Sequence, residues 1–112
     1  MFYVGNQIWL EKSDRFDDID VNFVGVVRIF VSEDFYWVKN KDIHRDPDPI
    51  TGEELPAYEN ADGSKEFWQL GVLHRTEGPA LVFADGIDSE WWYKGQYYGS
   101  SIERPVDFPV QP

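Results

Sequence analysis

The sequence predicts an all-β fold, with at most one short helix. We expect an antiparallel meander of repeated β-hairpins after an N-terminal pair of strands. Three features predict it: segments rich in β-branched and aromatic residues, tight-turn dipeptides between them, and an internal repeat. The chain has 112 residues, enough for one domain, and aromatic residues make up 17% of it. Large rings bury much area each, so a small core can be built from few of them.

The N-terminal part, residues 1–35, is predicted to hold strands and an acidic loop. Tyr3 to Leu10 has strand character, with Gly5-Asn6 as a turn or bulge. Ser13 to Asp20 is polar and predicts a loop or a single helical turn. Val21 to Val31 is apolar on both faces, which is typical of a central strand, and its Gly25 indicates a bulge or a close approach of another backbone.

Residues 36–99 contain the repeat, and residues 100–112 form a proline-rich tail that we expect to be extended. The segment 56–63, PAYENADG, aligns with 79–86, PALVFADG, at an offset of 23 residues. Each copy continues into Glu-aromatic-Trp and then a glycine, and each follows a His-Arg pair, His44-Arg45 or His74-Arg75. Trp37 and the residues after it resemble the end of an earlier, partial copy.

Each copy predicts one hairpin. Pro-Ala begins a short strand at a position where no backbone N–H is needed for strand pairing. Asp-Gly forms the turn, and Glu-aromatic-Trp forms the second strand. The copies differ in one loop: Asp46 to Glu54 separates His44-Arg45 from the first Pro-Ala, where the second copy has only residues 76–78. A two-stranded unit cannot close its own core, so neighbouring units must stack.

The segment His74-Arg-Thr-Glu-Gly-Pro-Ala-Leu-Val-Phe-Ala-Asp-Gly86, followed by Glu90-Trp-Trp-Tyr-Lys-Gly95, resembles the "HRxxGPA…DG…EWWxNGxxHR" repeat of uncharacterised phage and bacterial proteins. That repeat is similar in plan to MORN-type repeats, which are glycine-punctuated β-hairpins. The resemblance covers about residues 36–99. It implies a β-hairpin fold and a phage or accessory-gene origin, and it implies no catalytic residues.

The net charge is −11, and residues 1–62 carry 14 acids against 6 bases. Such a chain is not expected to bind nucleic acid directly or an anionic membrane, because both require clustered Lys and Arg. A basic protein is the partner that the charge favours. The candidate contacts are two acidic clusters: Glu11, Asp14, Asp17, Asp18 and Asp20, and, within the acidic stretch from Asp42 to Glu59, Asp46, Asp48, Glu53 and Glu54. The alternative is that both clusters are solvated loops that keep the protein soluble.

The chemistry-bearing residues do not predict an enzyme. There is no cysteine, no nucleophile elbow, no phosphate loop and no HExxH motif, so we expect no catalytic residue, no cofactor and no metal. His44 and His74 occupy equivalent repeat positions, which favours a structural role for both. Trp91, Trp92 and Tyr93 are consecutive on one strand and must divide between its faces. Trp91 and Tyr93 are therefore candidates for an exposed aromatic binding surface, or else for a second core layer.

The hypothesis we favour is a non-enzymatic, phage-encoded inhibitor that blocks a basic nucleic-acid-binding surface by charge mimicry. Its target would be a host defence protein, such as a CRISPR, restriction or other nuclease, or a host polymerase. One alternative is an antitoxin or immunity protein that plugs a toxin, and a further one is binding of a small ligand or carbohydrate on the Trp rows. No apolar run reaches the length of a membrane span, and the N-terminus lacks a signal peptide's pattern, so the expected location is the cytoplasm, the host's if phage-encoded. Monomer and homodimer both stay open.

Overall fold

The computed structural model describes residues 1–11, 14–29, 34–86 and 88–111. Within them the chain forms twelve β-strands and one short 3-10 helix, Phe16–Asp18, and no helix there is long and apolar enough to cross a bilayer. The strands are β1 (Phe2–Val4), β2 (Gln7–Leu10), β3 (Val24–Ile29), β4 (Phe35–Lys39), β5 (Asp42–Ile43), β6 (Tyr58–Glu59), β7 (Lys65–Glu66), β8 (Trp68–Gln69), β9 (Val72–Leu73), β10 (Leu81–Val82), β11 (Ser89–Tyr93) and β12 (Gln96–Gly99). The prediction of a nearly all-β fold is confirmed.

One sheet contains ten of these described strands, in the order β1-β2-β3-β4-β6-β7-β10-β11-β12, with β5 paired to β4. Strands β8 and β9 form a separate hairpin. The pairing is antiparallel except between β2 and β3, which run parallel. The parallel pair needs a crossover connection. Residues 11–23 supply it, and Ile19 on that crossover is buried in the core.

The N-terminal strands enclose the first part of the core. Ile8, Leu10, Ile19, Val27 and Val38 are buried together, and Met1, Phe23, Ile29 and Tyr36 pack against them. Strand β3 lies between β2 and β4, as expected for the central strand. Its neighbouring residues Val26 and Val27 are both buried, so both of its faces are covered. The ends of the predicted segments at Ser13, Phe30 and Val31 lie outside the described residues.

Gly25 marks a close approach between two backbones, as its position in the strand predicts. Gly25 has a φ of 155°, and a Cβ atom placed there would lie 2.1 Å from the carbonyl oxygen of Asn6. The same oxygen accepts a hydrogen bond from the Val26 backbone at 3.0 Å. The β1–β2 turn at Gly5-Asn6 is therefore fastened to the central strand, and no larger residue fits at position 25.

The repeats form the hairpins that the sequence predicts. Strands β6 and β7 enclose the first Asp-Gly turn, and β10 and β11 enclose the second. A second type of hairpin joins β4 to β5, β8 to β9 and β11 to β12. Its two turn residues all have positive φ, the conformation of a type I′ turn. They are Asn40 and Lys41 (50° and 70°), Leu70 and Gly71 (49° and 83°), and Lys94 and Gly95 (49° and 81°).

The two histidines join successive hairpins of this second type. The Nδ1 atom of His44 accepts a hydrogen bond from the backbone N–H of Leu70 at 2.9 Å, and Nδ1 of His74 accepts one from Lys94, also at 2.9 Å. Each donor is the first residue of the next type I′ turn. Backbone bonds run beside each contact, from Gly71 to the Ile43 oxygen and from Gly95 to the Leu73 oxygen. The histidines therefore fix the spacing of the repeats.

The arginine that follows each histidine stacks on an aromatic ring of the preceding copy. Arg45 lies 4.1 Å from the centre of the Trp37 ring, and Arg75 lies 3.8 Å from that of Phe67. Each guanidinium also donates a hydrogen bond to the carbonyl oxygen of the next Pro-Ala segment, on Pro56 at 3.1 Å or Pro79 at 3.2 Å. The repeated His-Arg pairs are thus built into the scaffold.

The tail covers the last repeat. Phe108 is 2% exposed and its ring packs against those of Trp91, Tyr93 and Tyr98. The carbonyl oxygen of Ser101 accepts hydrogen bonds at 2.8 Å from the hydroxyl of Ser89 and from the indole of Trp91. The tail, which the sequence predicts to be extended and able to pack along the sheet, forms no strand within its described residues. Its described residues instead cover the last hairpin, as the terminal segments of repeat arrays commonly do.

Replacing Phe108 by alanine removes this cap, and we expect the free energy of unfolding to fall by about 3–5 kcal/mol, the usual cost of deleting a buried phenylalanine ring. Urea titration followed by tryptophan fluorescence measures the change. Val106→Ala is the matched control, because Val106 is 97% exposed in the same tail and its loss should change stability by less than about 0.5 kcal/mol. Equal effects of the two substitutions would contradict the capping role.

Mild acid should weaken the contact between the last two hairpins. Burial lowers the pKa of His74 below its ordinary 6.5, so the unfolded chain takes up this proton before the folded chain does. The stabilisation is complete above pH 6.5 and decreases as the pH falls below it, by at most about 1.4 kcal/mol per pH unit for one proton. Unfolding titrations at several pH values measure this slope. The variant His74→Asn keeps an acceptor oxygen near the Nδ1 position and does not titrate, so its stability should depend less on pH between 6.5 and 5; an unchanged slope would oppose the assignment.

Candidate interaction surface

The first acidic cluster lies on the crossover between β2 and β3. Asp17, Asp18 and Asp20 are exposed, and the carboxylates of Asp18 and Asp20 accept hydrogen bonds from the backbone of Arg15 and Asn22. These short local bonds fix the loop while leaving the charges at the surface. Asp14 differs, because it pairs with the amino group of Met1, whose hydrogen bond lowers the pKa of the Asp14 carboxyl.

Glu11 completes this cluster at its start. Its side chain is 59% exposed and lies 3.9 Å from the Met1 amino group, and its backbone N–H donates to the Asp14 carboxylate at 2.8 Å. Glu11 and Asp14 therefore surround a positive group, whereas the aspartates at positions 17, 18 and 20 have no cationic partner among the described residues.

The second cluster occupies the loop between the first His-Arg pair and β6. Asp48 organises this loop: its carboxylate accepts hydrogen bonds from the backbone of Ile50 at 2.8 Å and Thr51 at 3.1 Å, which lower the pKa of Asp48. Asp46 has its side chain 71% exposed and accepts a hydrogen bond from Nε2 of His44 at 2.7 Å, which lowers the pKa of Asp46. Both carboxylates are therefore ionised at neutral pH.

Glu54 has a structural role that its position in an acidic run does not reveal. It accepts hydrogen bonds from the backbone N–H groups of Thr76, at 2.9 and 3.0 Å, and of Glu77, at 2.8 Å. It also lies 4.0 Å from the guanidinium of Arg75. Glu54 thus ties the loop of the first copy to that of the second. Its neighbour Glu53 is exposed and forms no ion pair within the described residues.

The β4–β5 hairpin brings the two clusters together. The ammonium group of Lys41 donates to the carbonyl oxygen of Asp17 at 2.9 Å, and the backbone of Asn40 donates to that of Phe23 at 3.2 Å. Asp42 follows directly, is exposed, and leads along the chain to Asp46. We call Asp17, Asp18, Asp20, Asp42, Asp46 and Glu53 the acidic face. Nothing in the sequence predicts this junction, because the ammonium group of Lys41 donates to a backbone oxygen and not to an acidic side chain.

The predicted aromatic contacts are less accessible than the acids. Trp91 is 4% exposed, and its indole is bound by the tail, so the structure places it in the core. Tyr93 is half-buried and its ring contacts those of His74 and Phe108. The indole N–H groups of Trp68 on β8 and Trp92 on β11 donate to Glu66 at 2.8 Å and to Glu90 at 3.0 Å. Because Trp91 and Tyr93 pack against other groups of this chain, we do not include them in the proposed binding surface.

The fold and this surface define a class: a capped array of β-hairpin repeats that carries an acidic face on its N-terminal half. Comparisons with protein-family models, with curated proteins and with solved structures found no significant match. Among the described residues no group of three or more His, Asp or Glu side chains is arranged to hold a metal ion.

The neighbouring residues Glu53 and Glu54 provide a matched pair of substitutions. Glu54→Ala leaves the N–H groups of Thr76 and Glu77 without their charged acceptor, so we expect the free energy of unfolding to fall by about 2–3 kcal/mol. Glu53→Ala removes a charge of the same sign from an exposed position and should change stability by less than about 0.5 kcal/mol. Thermal unfolding followed by circular dichroism compares them, and equal losses would mean that Glu54 does not join the two loops.

Proposed function

We propose that this protein is a non-enzymatic inhibitor whose acidic face binds the basic nucleic-acid-binding surface of another protein. The observation that carries the proposal is the junction of the two acidic clusters at the β4–β5 hairpin. At this junction Asp17, Asp18, Asp20 and Asp42 lack a cationic partner among the described residues, and so does Glu53 on the loop that follows His44. Unpaired carboxylates on neighbouring loops attract a cationic surface over several ångströms beyond contact.

The carboxylates would take the place of backbone phosphates. A nucleic-acid-binding cleft carries Lys and Arg spaced to meet phosphate oxygens, and most of its affinity is electrostatic and independent of sequence. Local hydrogen bonds already order the aspartates of the first loop and the loop that follows His44, so little conformational entropy is lost on binding. Binding should therefore exclude nucleic acid and weaken as the salt concentration rises.

The proposed target is a host defence nuclease, a CRISPR or restriction protein, or a host polymerase, and the protein would be phage-encoded and act in the host cytoplasm. This narrower statement rests on the resemblance of residues 36–99 to phage and bacterial hairpin repeats. An antitoxin that plugs a basic toxin would use the same face. The two are distinguished by the partner, because a toxin would be encoded beside this gene and a defence protein would not.

Neutralising the five unpaired carboxylates of the acidic face, and leaving Asp46 bonded to His44, should weaken partner binding without unfolding the protein. The variant carries Asp17→Asn, Asp18→Asn, Asp20→Asn, Asp42→Asn and Glu53→Gln, and each amide keeps an acceptor oxygen for the local hydrogen bonds. The partner is first isolated from host lysate and identified by mass spectrometry. Its dissociation constant is then measured by calorimetry at low and physiological salt, with and without competing duplex DNA. We expect the affinity to fall about 10- to 100-fold, within the range by which electrostatic attraction alters association.

The matched control removes five charges elsewhere, through Asp62→Asn, Asp85→Asn, Asp88→Asn, Glu103→Gln and Asp107→Asn. All five side chains are exposed. Because each variant loses five negative charges, the two have the same net charge. It should bind within about threefold of the unsubstituted protein. Equal losses of affinity in the two variants would mean that net charge alone, and not the position of the charges, determines binding. Simultaneous binding of DNA and this protein by the partner would also oppose the proposal.

A further inference from the structure

A cavity of about 540 Å³ lies between the two stacked arginines and is bordered by the end of the long loop of the first copy. Part of its wall is a cross-strand row, since Glu59 on β6, Lys65 on β7 and Val82 on β10 are partners in register. The rest of its apolar lining comes from Leu55, Pro56 and Phe67, and the rest of its charged lining from Arg45, Arg75, Glu53 and Glu54. A cavity of this size with an apolar wall and a few polar groups is typical of a small-molecule site.

The two arginines bring unused N–H groups to this cavity. Arg45 donates from Nη1 to the Pro56 carbonyl and Arg75 from Nη1 to that of Pro79, and neither Nη2 atom has an acceptor among the described residues. Neither Nη2 atom is fully buried, in contrast to the Nε atom of Arg75. Burial lowers the pKa of both guanidinium groups, and partial removal from water strengthens their attraction to a carboxylate.

The cavity also holds charges of both signs that do not neutralise each other. Lys65 and Glu59 are cross-strand partners, yet within the described residues neither side chain forms an ion pair or a hydrogen bond. Glu53 is unpaired as well, whereas Glu54 is committed to the backbone N–H groups of Thr76 and Glu77. A free ammonium group and free carboxylates therefore line one cavity.

The hairpin scaffold does not require this cavity. In the second copy Gly78 precedes Pro79 and is buried against the guanidinium of Arg75, since a Cβ atom placed there would lie 3.0 Å from Nη1. In the first copy Leu55 precedes Pro56 at the equivalent position, and Arg45 still donates to the proline carbonyl. The loop that carries Glu53 and Leu55 is thus an addition of the first copy.

The balance of charge in the lining defines the ligand. Three basic groups and three carboxylates line the cavity, so a ligand with one sign of charge is repelled by half of them. A ligand that carries both a carboxylate and an ammonium group can pair with each set. The apolar wall adds a place for an aliphatic side chain.

We propose that this cavity binds a zwitterionic α-amino acid with an aliphatic side chain, such as leucine. The ligand's carboxylate pairs with the Lys65 ammonium group and accepts hydrogen bonds from the two arginines. Its ammonium group donates to the Glu59 carboxylate, and its side chain lies against Leu55 and Val82. The proposal does not depend on the inhibitory contact proposed above, because the cavity shares only Glu53 with the acidic face.

The test uses leucine and two probes of similar size: leucinamide, which lacks the negative charge, and N-acetylleucine, which lacks the positive charge. Each is titrated at neutral pH into ¹⁵N-labelled protein, and the backbone amide signals of residues 53–66 are followed by NMR. We expect leucine to shift these signals saturably at millimolar concentration, in keeping with the affinity of a ligand of this size. Both other probes should bind at least about tenfold more weakly, because each leaves one set of charges unpaired.

Two substitutions separate the two ends of the ligand. Lys65→Gln removes a partner of the carboxylate, so it should weaken leucine binding about three- to tenfold without weakening that of leucinamide. Glu59→Gln removes the partner of the ammonium group, so it should weaken leucine binding by about the same factor without weakening that of N-acetylleucine. Both variants should fold, since neither side chain forms a hydrogen bond within the described residues.

Lys94→Gln and Glu103→Gln are the matched controls, because both side chains are exposed and lie outside the cavity lining. Each should leave leucine binding unchanged. The proposal would be overturned if leucine gave no saturable shift, if the three probes bound equally, or if the controls weakened leucine binding as much as the substitutions in the cavity.

Discussion

Two buried or half-buried imidazoles determine how the hairpins of this protein stack. In each, the Nδ1 atom accepts the backbone N–H of the next type I′ turn, so the imidazole must be neutral with its proton on Nε2. The donor residue has a φ of 49° in both cases, which no strand residue adopts. The Nδ1 atom of each histidine therefore bonds to a backbone N–H group that only this turn conformation presents. The arginine beside it then fastens the following Pro-Ala segment, and the two contacts together set the repeat.

The last of the three hairpins of this type lacks this contact. Tyr98 occupies the position where a third histidine would accept the next turn, and no further type I′ turn follows within the described residues. The tail supplies substitutes: Arg104 lies 5.3 Å from the Trp91 ring centre, where Arg45 and Arg75 stack on their own rings. Phe108 fills the space that another repeat would cover. At the other end, the crossover loop covers the first hairpin through Lys41 and Asn40.

Most of this scaffold could be predicted from the sequence, because it depends on local signals. Asp-Gly turns, aromatic strands and repeated His-Arg pairs each carry their meaning within a few residues. Those signals do not predict the parallel pairing of β2 with β3, because it depends on a crossover loop in which Ile19 is buried in the core. The candidate surface was harder still. Glu53 and Glu54 are chemically alike and adjacent, and only the fold shows that one holds two loops together while the other faces solvent. For Trp91 the aromatic pattern allowed either a surface or a core position. The structure places it in the core, because the tail covers it through Ser101 and Phe108.

The residues that stabilise the repeats and the residues of the proposed binding surface lie in different parts of the chain. The repeats use His, Arg and small buried alanines, and these groups are engaged with backbone oxygens, backbone N–H groups or rings, leaving little free charge on the stacking contacts. The unpaired carboxylates lie instead on the crossover and on the long loop, both of which the stacked units tolerate because loops run over the surface.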